Sequence, residues 1–121
     1  MKTVFIAGPL SSPDGDAGIE RNKKEAQKYQ VTLAEEGIYS FCPHVHTIWR
    51  GKEGAGISDE FFHDWHMKFL QCCDALAALP GWKESKGTQL DIEEAKAAGL
   101  PVFYLDSESD LSEVIEWAKN G

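Results

Sequence analysis

An acid stands where an acid is costly. Asp91 shares one helical face with Thr88, Ala95 and Ala98, and the small alanines suit that face to packing on a sheet. A carboxylate there must be paired or sit near the positive end of its helix. Two readings follow: a reacting carboxylate in a cleft, or an ordinary first-turn acid held by the helix dipole. The residues just before it bear on the choice. Ser85-Lys86-Gly87-Thr88-Gln89-Leu90 begins that helix, and Ser85, Lys86 and the free N–H groups of the first turn suit a phosphate or another anion.

His66 is the second anomaly. With Phe62, Phe69 and Cys73 it forms one apolar helical stripe. A histidine there is either a core residue with a satisfied hydrogen bond or a proton carrier in a pocket wall. The four histidines fall in two pairs, His44/His46 and His63/His66. No HExxH motif and no CxxC pair accompanies them, so no metal site is expected. The tryptophan of Ile48-Trp49, with Trp65, Trp82 and Phe41, lies in or near the same loops. An aromatic there can stack on a base, although core packing explains Trp65 equally well.

A further candidate follows the first apolar run. Gly8-Pro9-Leu10-Ser11-Ser12-Pro13-Asp14-Gly15 can bring backbone N–H groups close to an anion. It is neither a Walker loop nor a dinucleotide fingerprint, because the Gly-Lys-Ser/Thr and the three spaced glycines are missing. A plain turn accounts for it as well as a ligand loop does.

The elements that must hold these residues are legible. Four short, largely non-alternating apolar runs read as strands covered on both faces: Thr3 to Ala7, Ile38 to Phe41, Ala75 to Leu79 and Val102 to Leu105. Helical patterns separate them. Ile19, Ala26, Tyr29 and Leu33 mark Gly18 to Glu36, stopped by Gly37. Ser58 is the N-cap of a helix running to Cys73, and Gly87 to Ala98 is an alanine-rich helix ending at Gly99. Leu111, Val114, Ile115 and Ala118 mark a last one after Asp110. Strand–helix alternation predicts an α/β fold with a parallel sheet and helices on both faces. Such sheets bind ligands beyond the carboxyl ends of their strands. Three loops lie there: Gly8 to Asp16, Cys42 to Ile57 and Pro80 to Lys86. Asp74 opens its strand and reads as structural.

Composition bounds the partners. The 121 residues fit one domain spanning 1–121, and no apolar run approaches a membrane span. A net charge of −8 disfavours a nucleic-acid polymer, which needs clustered Lys and Arg. It leaves room for a single nucleotide-like small molecule. Three cysteines, two of them adjacent, read as reduced thiols, and a cytoplasmic location is expected.

Phe5-Ile6-Ala7-Gly8-Pro9-Leu10, Phe41-Cys42-Pro43-His44, Cys73-Asp74-Ala75 through Leu79-Pro80-Gly81-Trp82, and Ser85-Lys86-Gly87-Thr88 together resemble the nucleoside 2-deoxyribosyltransferase-like superfamily. The similarity is closest to its small bacterial and phage-borne branch, and runs from Lys2 to about Leu105. It implies a flavodoxin-like three-layer sandwich with a parallel sheet of four to five strands. It also implies an enzyme of N-glycosidic chemistry, either deoxyribosyl transfer between bases or hydrolysis of a nucleoside 5′-monophosphate, with no cofactor. By the same resemblance Asp91 falls at the nucleophile position, where the family carries Glu. Ser85 falls at the 5′-phosphate contact, and Gly8 to Ser12 at the sugar and phosphate pocket. His66 falls where a second acid is usual. Family members often complete each site with a neighbouring subunit, so a homo-oligomer is expected. The expected site is therefore Asp91 and His66 for chemistry, with His66 within side-chain reach of Asp91 to orient it or to shuttle a proton to the leaving base, and Gly8, Pro9, Leu10, Ser11, His44, Trp49, Trp82, Ser85, Lys86, Gly87 and Thr88 for binding. The alternative is a nucleotide-binding sensor or sequestering module on the same fold without turnover. A structural partner protein that binds no nucleotide is a third reading.

Overall fold

The computed structural model describes residues 2–9, 15–43 and 56–120. Its strands are β1 (Thr3–Ala7), β2 (Tyr39–Phe41), β3 (Ala75–Ala78) and β4 (Val102–Tyr104). Its helices are α1 (Asp16–Glu35), α2 (Asp59–Leu70), α3 (Lys86–Ala97) and α4 (Leu111–Asn120), with short 3-10 turns at Trp82–Glu84 and Glu108–Asp110. The strands form one sheet in the order β2-β1-β3-β4, and every neighbouring pair is parallel. This is the expected α/β architecture.

Period-two side-chain alternation divides the interior into two cores. Val4 and Ile6 of β1, with Ala77 and Leu79, meet Ala26, Tyr29 and Leu33 of α1 and Leu111, Val114 and Ala118 of α4. Phe5 and Ala7, with Leu76 and Ala78, meet Met67 and Leu70 of α2 and Ile92 and Ala95 of α3. Because both faces are covered, Val4 to Ala7 and Ala75 to Ala78 are buried without a break. That is why these runs are apolar throughout rather than alternating.

The ends of the elements follow local chemistry. Gly37 stands at φ 77°, where a left-handed residue ends a helix. Its N–H donates to Ala34 O and that of Ile38 to Leu33 O. The Ser58 hydroxyl oxygen accepts from Phe61 N at 3.0 Å, capping α2. Asp74 is structural, as read: its Oδ2 accepts from Thr3 N and its own N–H donates to Thr3 O, each at 2.8 Å. Two stripe assignments shift. Phe69 is 41% exposed and stacks on Phe41 at 4.4 Å instead of entering the core. Ala98, the residue just after α3, is exposed.

Candidate functional site

The chain leaves β1 across one face of the sheet and β3 across the other, so β1 and β3 flank the switch point where such sheets open a crevice. Two glycines draw the loops together there. A Cβ on Gly8 would stand 3.0 Å from Leu79 Cβ, and one on Gly81 would stand 3.1 Å from Pro9 Cγ. Gly81 also has φ 92°, which disfavours a side chain. Gly8 and Pro9 therefore seat the first loop against the third. Leu10, Ser11, His44 and Trp49 lie outside the described residues.

The third loop ends at the N-terminus of α3. Ser85 is its N-cap, and Ser85 Oγ accepts from Thr88 N at 3.3 Å and from Thr88 Oγ1 at 2.8 Å. The Ser85 hydroxyl proton is still available to donate. Thr88 is buried at 1% exposure and serves the cap. Lys86 and Gly87 are exposed, and first-turn N–H groups such as theirs have no partner within a helix. A Cβ at Gly87 would meet nothing within 4 Å. Trp82 is half-buried beside Tyr104, with ring centroids 4.6 Å apart and Lys83 Nζ 5.4 Å from its ring. Gln89 Nε2 donates to Trp82 O at 3.2 Å, tying this turn to α3.

Asp91 lies farther along α3, between Thr88 and Ala95 on the face turned to the sheet and α2. Its side chain is 18% exposed. Burial, followed by the neighbouring charge of Glu94, pushes its carboxyl from the ordinary 3.8 up to about 7. It faces a histidine, but that histidine is His63: His63 Nδ1 stands 4.0 Å from Asp91 Oδ1. No pair of this kind joins His66 to Asp91 among the described residues. His66 stands one turn along α2, with its Nε2 buried and without a hydrogen-bond partner among the described residues. Burial, and then the charge of His63, lower its tendency to protonate. A carboxyl pushed toward neutrality can act as acid, base or nucleophile, and an imidazole nitrogen without a hydrogen-bond partner still has its lone pair or its N–H to offer. His63 enters the sequence reading only as half of a histidine pair. No group of three or more His, Cys, Asp or Glu side chains gathers as a metal site among the described residues.

The family model described as "Domain of unknown function (DUF4406)" matches residues 2–104. The chain belongs to the DUF4406 family. His63, His66, Ser85 and Asp91 all fall inside the match, whereas α4 lies beyond it. Among solved structures, the DUF4406 chain is similar to a 2-deoxyribosyltransferase from the psychrotolerant bacterium Bacillus psychrosaccharolyticus. The similarity has a TM-score of 0.56 at 14% identity, over 84% of this chain and 70% of that one. The fold is thus deoxyribosyltransferase-like, as the motif resemblance implied. No curated protein matches the chain. No helix among its described residues is long and apolar enough to cross a membrane.

Proposed function

We propose that this DUF4406 chain cleaves, or transfers a sugar across, the N-glycosidic bond of a nucleoside or nucleoside 5′-monophosphate. The observation that carries the reading is the place of Asp91: its side chain, only 18% exposed, faces His63 Nδ1 at 4.0 Å, and burial pushes its carboxyl up to about 7. It is supported by a fold similar to that of a 2-deoxyribosyltransferase.

Ionised Asp91 attacks the anomeric carbon, or holds its oxocarbenium-like charge, as carboxylates do in glycoside hydrolysis. In the covalent form of the step a C1′–O bond forms and the C1′–N bond breaks. The electron pair passes to the base nitrogen, which takes up a proton that comes from solvent by way of His66, whose Nε2 has no hydrogen-bond partner among the described residues; the nucleophile that later displaces Asp91 gives a proton back. Water or a second base then displaces Asp91. The Ser85 hydroxyl, Lys86 and the N–H groups of Lys86 and Gly87 hold the 5′-phosphate. The backbone around Gly8 closes the sugar side.

Incubation with deoxynucleosides and nucleoside 5′-monophosphates, followed by chromatography of the free bases, tests the reading. Base release supports it. Saturable binding without release replaces it with a nucleotide-binding module.

A further inference from the structure

We propose that His63 is the positioning residue of Asp91: from α2 its imidazole holds the carboxyl toward the seam between α2 and α3 and sets when that carboxyl is ionised. The proposal rests on Asp91 being the reacting carboxylate. The geometry is specific. His63 Nδ1 and Asp91 Oδ1 are 4.0 Å apart, close enough for an ion pair, with side chains 31% and 18% exposed. Two groups on different elements are brought together at a helix–helix contact partly shielded from water, where a charge acts strongly on its neighbour.

Among the described residues, few other groups stand to govern Asp91. The strands beneath offer Phe5, Ala7, Leu76 and Ala78 on this face. On α3 the neighbouring charge is Glu94, which opposes ionisation. On α2, Glu60 and Asp64 are exposed to solvent, and His66 is held toward its neutral form by burial and by His63. Among these residues His63, when protonated, is the cation that stands against that carboxyl, opposing burial and Glu94.

The test is the carboxyl-carbon NMR titration of Asp91 in the full chain, compared among wild type, His63→Gln and His63→Lys. Gln keeps polarity but loses the charge, and should move the Asp91 midpoint upward by about one unit. Lys restores a permanent cation and should bring it back down. An unmoved midpoint in both variants overturns the proposal. The titration requires no turnover, so the two readings fail separately. A shifted midpoint in a protein that releases no base upholds the pairing and removes the glycosidic reading. Base release with an unmoved midpoint does the opposite.

Discussion

Thr88 spends both of its donors on Ser85: its backbone N–H and its hydroxyl reach the same Ser85 oxygen, at 3.3 and 2.8 Å. The residue expected to meet a phosphate is thus also the cap of the helix beneath it. Ser85→Ala should cost about 1 kcal/mol of stability, the usual cost of losing a serine cap. It also leaves the buried Thr88 hydroxyl without this partner. Urea unfolding measures that loss. Under the proposed function the same change should weaken a 5′-monophosphate more than its free nucleoside, and calorimetric titration separates the two effects.

The close approach of the first and third loops gives a second expectation. Gly8→Ala puts a methyl 3.0 Å from Leu79 Cβ, a crowding of the kind that costs about 1–3 kcal/mol. Gly81→Ala combines a contact on Pro9 with φ 92° and should cost about 1–2 kcal/mol. Gly87→Ala, open on every side, should leave stability unchanged or slightly raised, since alanine favours helix. Denaturant midpoints of the three variants check the order.

Asp91 links stability to pH. The folded carboxyl keeps its proton to about pH 7, whereas the unfolded one loses it near the ordinary 3.8. Between these values the folded state binds more protons, so stability falls as pH rises through the window. Asp91→Asn removes that penalty. It should stabilise the protein above pH 7 by on the order of 2 kcal/mol and change little near pH 4. Urea melts of both proteins across this range give the comparison. A variant that is more stable and inactive is the mark of a group kept for function.

The thiols should separate by reactivity. Cys73 is buried, and its Sγ–H donates to Phe69 O at 3.3 Å. Burial, followed by Cys72 and Asp74, pushes its thiol up to about 12. Cys72 is exposed. A thiol reagent at neutral pH should label Cys72 rapidly and reach Cys73 only on unfolding, read by peptide mass mapping.

The sheet was legible because its strands announce themselves. Val4 to Ala7 and Ala75 to Ala78 are apolar without alternation, a pattern that follows from burial on both faces. Gly37 and Ser58 marked helix ends by chemistry that acts within a few residues. The partner of Asp91 was not legible in the same way. Periodicity places His66 on a stripe with Phe62 and Cys73, yet does not say how far α2 is rotated about its axis. The structure buries Met67 and Leu70 on the sheet side. Position 63 shares their face at spacings of four and seven, and this turns His63 toward α3. Only the packing of two helices on one sheet reveals that pairing. The same rotation leaves Phe69 outside the core, stacked on Phe41.

The most direct measurement follows base release from a panel of deoxynucleosides and nucleoside 5′-monophosphates by wild type and Asp91→Ala, with ligand affinity measured on the same preparations. The carboxylate acts on charge that develops mainly in the transition state, so its loss should lower turnover far more than binding. Wild type should release base from at least one substrate, and Asp91→Ala should bind this substrate with similar affinity and release none. Release by Asp91→Ala at the wild-type rate, or saturable binding by wild type without any free base, contradicts the glycosidic role of Asp91.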